Sequence, residues 1–107
     1  MRNEIVVQKM AGYVRKVLDY CRGYDYATFS ADSKLVEACV FNLRQLGELC
    51  KVADDSFTAA HPEIPWREMY GLRNRIVHDY EGVNLKLVWE IIQGDLPELE
   101  KAINKLL

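Results

Sequence analysis

Apolar residues recur every three or four positions along most of this chain, and no stretch alternates apolar and polar residues for long enough to make a strand. A repeat near 3.6 residues places apolar side chains on one face of a helix. At 107 residues the chain is long enough for one modest core. The sequence therefore predicts an all-α fold: a single domain over residues 1–107, built as a small antiparallel bundle of four to five helices.

Capping residues, glycines and prolines set the predicted helix boundaries. Gly23 stops the first helix, Ser30 or Asp32 caps the second, Pro65 suits the first turn of the third, and Asn84 caps the fourth. The first predicted helix spans Asn3–Arg22, and the second runs from Ser30 or Asp32 to about Ala53. The third spans Trp66 to His78 or Tyr80, and the fourth runs from Asn84 to about Gln93, with a kink or a new start at 94–97. Residues 23–30 carry no helical stripe, and 54–65 is predicted as a connector with at most a short helical turn at 56–60.

The second predicted helix is apolar on two sides. A helix that is solvated on one side needs only one apolar stripe. The main stripe contains Leu35, Cys39, Leu43, Leu46, Leu49, Cys50 and Ala53, and the other side contains Val36, Val40, Phe41 and Val52. This pattern favours burial of both sides, as in a homodimer.

Charge and cysteine content narrow the possible functions. Fourteen basic residues against sixteen acidic ones give a net charge of −2, so a bound nucleic acid would need a local basic patch. No apolar stretch has the length of a signal peptide or a membrane span, and we expect a cytoplasmic protein with no membrane segment.

The three cysteines, Cys21, Cys39 and Cys50, lie in apolar periodic stretches. This placement favours a role as reduced core residues over a disulfide, a zinc site or a nucleophile.

Arg73 lies in the middle of the apolar stripe of the third predicted helix. The residues within roughly 60° of it on a helical wheel are Trp66, Met69, Tyr70, Ile76, Val77 and Tyr80. A guanidinium cannot lose its charge, and burying it without a partner would cost several kcal/mol. Arg73 must therefore reach a carboxylate such as Glu48, a helix C-terminus, or a pocket in which an anion binds.

A polar face lies beside this stripe. Asn74 and His78 are four residues apart and share one side of the helix, together with Arg67 and Gly71. An arginine, an amide and a histidine within six residues can clamp a phosphate, orient it and move a proton near neutral pH. The only other histidine is His61, and neither histidine has metal-ligand spacing, so we expect no metal site and no cofactor.

The octet Arg73-Asn74-Arg75-Ile76-Val77-His78-Asp79-Tyr80 resembles the R-N-x-x-x-H-x-Y signature of the HEPN superfamily, specifically the HepT-like toxins of two-gene toxin–antitoxin modules. The resemblance covers essentially the whole chain. The other matching segments are Phe29 and Asp32, Leu46-Gly47-Glu48, His61-Pro62-Glu63-Ile64-Pro65-Trp66, Gly71-Leu72 and Leu96-Pro97-Glu98-Leu99.

The resemblance implies a metal-independent endoribonuclease whose site lies at a homodimer interface. Arg73 would hold the scissile phosphate, His78 would act as general base or acid, and Asn74 would orient the phosphate or the imidazole. Glu48 would restrain Arg73. The resemblance also implies that a partner nucleotidyltransferase of the MntA type neutralises the toxin by transferring AMP to Tyr80, and that cleavage leaves a 2′,3′-cyclic phosphate.

Two other interpretations remain open at this point. The first is a non-catalytic HEPN-type subunit that binds a nucleotide or substrate for a nucleotidyltransferase, with Arg73 and His78 as a phosphate-binding pair. The second is a structural role only, in which Arg73 forms a buried ion pair and the polar face is a dimer seam.

Overall fold

The computed structural model describes residues 2–78 and 84–107, apart from the side chains of residues 73 and 76–78. All regular secondary structure in these ranges is helical, which confirms the all-α prediction. Numbered in chain order, the helices are α1 (Asn3–Tyr20), α2 (Tyr26–Ala31), α3 (Ser33–Val52), α4 (Asp55–Ala60), α5 (Trp66–His78), α6 (Leu85–Glu90) and α7 (Leu96–Asn104). A π-helical turn, Ile91–Asp95, joins α6 to α7.

Helix α3 is the centre of the molecule. It packs against α1 on one side and α5 on another, and α1 also packs against α7. The core consists of side chains from one face of each long helix, as the periodicity predicts. The fully buried members include Val6, Met10, Val14, Val17, Cys39, Leu43, Leu46, Ile92, Leu96 and Ile103.

The predicted helix caps are confirmed. The Asp32 carboxylate accepts a hydrogen bond from the backbone N–H of Leu35 at 3.0 Å, at the start of α3. The Asn84 side chain does the same for the N–H of Leu87 at 3.1 Å, at the start of α6. Helix α1 ends two residues before the predicted Arg22, and Gly23 follows with a φ of +82°, a conformation that favours glycine.

Residues 23–30, which carry no helical stripe and belong to none of the predicted helices, contain most of helix α2. Helix α2 begins after Asp25, whose carboxylate accepts a hydrogen bond from the Thr28 N–H at 2.8 Å. The Thr28 hydroxyl accepts one in return from the Asp25 N–H at 3.0 Å. Phe29 is 0% exposed, and the centroid of its ring lies 4.9 Å from the centroid of the Trp89 ring. Reciprocal capping and one buried ring therefore hold this helix in place of an apolar stripe.

The region 91–97, which includes the predicted kink or new start at 94–97, remains helical throughout. The N–H of Leu96 donates to the carbonyl of Ile91, five residues earlier, so this turn contains one residue more than a regular α-helical turn. Helix α7 then begins with Pro97 in its first turn, where a missing N–H is tolerated. None of the described helices is both long enough and apolar enough to cross a membrane.

Candidate active site on α5

The loop before α5 fixes where that helix begins. The indole N–H of Trp66 donates to the carbonyl of His61 at 2.9 Å, and Ile64 between them is fully buried. The centroid of the Phe57 ring lies 4.6 Å from the centroid of the His61 ring and 6.0 Å from that of the Trp66 ring. The Pro65 carbonyl accepts the first helical hydrogen bond of α5. The His-Pro-Glu-Ile-Pro-Trp segment therefore anchors the helix that carries the candidate catalytic residues.

Four described side chains of α5 show part of its packed side. Met69 and Leu72 are buried and Trp66 packs against the core, whereas Tyr70 is 37% exposed. The predicted stripe did not include Leu72, and its members at 73, 76, 77 and 80 lie outside the described side chains. That Arg73 lies in the middle of the stripe stays a prediction.

The polar face of α5 is open to solvent at two of its described side chains. Arg67 and Asn74 are exposed. A methyl group added at Gly71 would meet no atom within 4 Å among the described residues beyond its own stretch of helix. Helix α5 continues unbroken to His78, so positions 74 and 78 share this face by helical register. A large ligand or another protein chain can therefore approach this face closely.

The predicted site residues divide between described and undescribed parts of the chain. Arg73, Asn74 and His78 all belong to α5, but the side chains of Arg73 and His78, and the whole of Tyr80, lie outside the described residues. Glu48 is half-buried on α3, the helix that packs against α5. An ion pair between Arg73 and Glu48 stays a prediction.

Sequence reasoning missed a groove on the opposite side of α5. This cavity of about 400 Å³ has an apolar floor of Met69, Leu72 and Leu99. Its rim carries four carboxyl groups and one guanidinium, from Glu63, Glu68, Asp95, Glu98 and Arg75. A hydrogen bond from its own backbone N–H, and a second from His61, lower the pKa of Glu63. The groove therefore repels phosphate, which leaves the Asn74 face as the more favourable side for an anion.

Comparison with known proteins adds a family match. The sequence profile of the family described as "Ribonuclease HepT-like" matches residues 10–106. A candidate RNase of Caldanaerobacter subterraneus subsp. tengcongensis is 33% identical, covering 89% of this chain and 91% of that protein. A candidate ribonuclease HepT of Thermococcus cleftensis is 31% identical, covering 94% and 91%. The mRNA nuclease HepT of Shewanella oneidensis is 28% identical, covering 95% and 96%. No solved structure shows significant similarity to this chain.

Proposed function

This chain belongs to the HepT-like ribonuclease family, and we propose that it is a metal-independent endoribonuclease, the toxin of a toxin–antitoxin module. One observation carries the proposal: the family match runs through the whole of α5, an unbroken helix whose Asn74 face is open to solvent. The names of its relatives describe RNA-cleaving nucleases. An RNase toxin acts on RNA inside the cell, so a cytoplasmic location is part of the proposal.

The proposed reaction uses three side chains of α5. The Arg73 guanidinium holds the scissile phosphate and stabilises the negative charge that develops on its oxygens. His78 accepts the proton of the 2′-hydroxyl, whose oxygen attacks phosphorus. The bond from phosphorus to the 5′-oxygen breaks, and that oxygen takes up a proton. The products are a 2′,3′-cyclic phosphate and a 5′-hydroxyl, with Asn74 orienting the phosphate or the imidazole.

A homodimer would complete this site. Phe41 and Val52 are 58% and 47% exposed on one side of α3, and half-buried Gln45 and Glu48 lie between them at spacings of three and four residues. Phe41 and Val52 belong to the second apolar group that the sequence identified on α3. The other two members of that group, Val36 and Val40, pack against the core of the single chain, whereas Phe41 and Val52 remain exposed. Pairing two chains here would bring two copies of the α5 site together. One local basic cleft would then form despite the net charge of −2.

The proposed partner is a nucleotidyltransferase of the MntA type. In the transfer reaction the Tyr80 hydroxyl attacks the α-phosphorus of ATP, pyrophosphate leaves, and AMP remains on the tyrosine. Tyr80 follows His78 by two residues, so the attached phosphate would add a bulky anion near Arg73. That anion would compete with RNA phosphate for the guanidinium.

The test compares the two histidines of the chain. Purified protein, shown by mass to be unmodified, is incubated with end-labelled RNA in excess EDTA. His61→Ala is the matched control, because it keeps the backbone carbonyl that anchors Trp66, and the side chain that it removes contacts Phe57 and Glu63 in the loop before α5. Circular dichroism of this variant checks that the loss of those contacts leaves the fold intact. Wild type and His61→Ala should both cleave RNA and leave cyclic-phosphate ends. His78→Ala should cleave roughly 10²-fold to 10⁴-fold more slowly.

Two outcomes would contradict the proposal. Equal inertness of wild type and His78→Ala on varied RNAs would favour a binding subunit for a nucleotidyltransferase. Cleavage that EDTA abolishes and added Mg²⁺ restores would remove the metal-independent mechanism.

A further inference from the structure

Two of the three cysteines form a close pair inside the helical bundle. The sulfur atoms of Cys21 and Cys39 lie 3.5 Å apart, although the residues are 18 positions apart in the sequence. Cys21 follows the last turn of α1, and Cys39 lies within α3. Both are free thiols, and Cys50 is buried without a sulfur neighbour among the described residues. The pair therefore has a chemistry that a single buried cysteine lacks.

Only one residue of the pair lines an opening to solvent. Cys21 is 4% exposed and lines a surface cavity of about 370 Å³, together with Arg15, Arg22 and Tyr24. Cys39 is 0% exposed and does not line that cavity. A small oxidant in the cavity would therefore reach Cys21 before Cys39.

We propose that Cys21 and Cys39 form an oxidation site, at which a peroxide converts the two thiols into an intrachain disulfide. The Cys21 thiolate attacks one oxygen of hydrogen peroxide, the O–O bond breaks, and the leaving oxygen takes up a proton to become water. Cys21 is then a sulfenic acid. The Cys39 sulfur attacks the Cys21 sulfur, the S–O bond breaks, and the departing hydroxide leaves as water with the Cys39 proton. Two thiols and one peroxide give one disulfide and two waters.

The hydrogen bond between the sulfurs supports this division of roles. It lowers the pKa of Cys21, which accepts the bond as a thiolate, and raises the pKa of Cys39, which donates it. The thiolate is the nucleophile toward peroxide, so Cys21 reacts first. Burial raises the pKa of Cys50 to about 12, so that residue stays a thiol near neutral pH. Cys50 therefore serves as the control cysteine of the same chain, which should not react with peroxide.

The disulfide would bind the end of α1 covalently to α3. The sulfurs need to approach by only about 1.5 Å to reach a bonding distance near 2.05 Å. The bond closes a loop of 18 residues, which restricts the unfolded chain. Oxidation should raise Tm by roughly 10 °C.

The experiment treats the reduced, full-length protein with hydrogen peroxide under native conditions. The intact mass is measured first. Free thiols are then alkylated with iodoacetamide in denaturant, and digested peptides are measured. The expected result is an intact mass before alkylation that is two hydrogens lower than that of the reduced protein, a linked peptide containing Cys21 and Cys39, alkylated Cys50, and reversal of the link by dithiothreitol. A wild-type protein that forms only disulfides between chains, or that is oxidised first at Cys50, overturns the proposal.

Single variants separate the two roles. Cys50→Ser should form the bond as wild type does. Cys39→Ser removes the second thiol, so a sulfenic acid should accumulate at Cys21 and be trapped by dimedone. Cys21→Ser leaves only the inaccessible Cys39 of the pair and should react at least tenfold more slowly. Dimedone labelling of Cys39 in Cys21→Ser, with helicity by circular dichroism equal to that of wild type, would refute the assigned order.

Discussion

Two aspartates at helix starts show how one side-chain hydrogen bond decides a residue's contribution to stability. Asp32 caps α3 through the Leu35 N–H, whereas Asp54 occupies the same position before α4 without a side-chain cap bond. Asp32→Ala should lower the free energy of unfolding by about 1 kcal/mol. Asp54→Ala should change it by less than about 0.5 kcal/mol. Urea denaturation of both variants measures the difference, and equal losses would contradict this account.

At the same scale, local contacts could be predicted from the sequence and contacts between helices could not. The Asp32 and Asn84 caps join residues three apart, so the sequence alone places donor and acceptor together. The Cys21–Cys39 contact depends on how α1 packs against α3, which periodicity does not encode. The set of Arg73, Asn74 and His78 was recognised because all three lie on one helix.

Helix α2 depends on a single buried side chain. Phe29 is its only buried residue, and the ring packs against Trp89 of α6. Phe29→Ala should lower the free energy of unfolding by about 3–5 kcal/mol, because it leaves a cavity in the core. Tyr26→Ala, at an exposed aromatic position of the same helix, should cost less than about 1 kcal/mol. Thermal unfolding of the two variants tests this, and similar costs would show that α2 is not held by Phe29.

The failure to predict α2 has a physical cause at the level of the element. Six residues make fewer than two helical turns, so only one side chain needs to face the core and no stripe develops. The available signal was the pairing of Asp25 with Thr28 three residues later, a capping pattern with threonine in the place usually held by glutamate or glutamine. By contrast, α5 was predicted closely because its 13 residues are long enough to show a repeat.

At the scale of the whole molecule, the uncovered side of α3 is the feature that the fold of one chain does not explain. Single exposed apolar residues are normal on protein surfaces. Phe41 and Val52, however, share their side of α3 with half-buried Glu48, on the helix that packs against α5. A stable interface covers about 800 Å² per partner, roughly an eighth of the 6539 Å² surface of this chain. A second copy of the chain offers a matching apolar surface, since a two-fold axis pairs a patch with itself.

This arrangement predicts that Phe41 controls assembly rather than folding. Phe41→Asp places a charge where a partner would bury an aromatic ring, so sedimentation velocity should show a monomer where wild type is a dimer. Circular dichroism should show unchanged helicity, because Phe41 is 58% exposed in the single chain. Ile5→Asp, a similar change at an exposed position of α1, should leave the dimer intact. RNA cleavage should fall together with dimerisation, since the proposed cleft needs two copies of α5. A wild-type monomer that cleaves RNA at full rate would contradict this prediction, because one chain would then suffice.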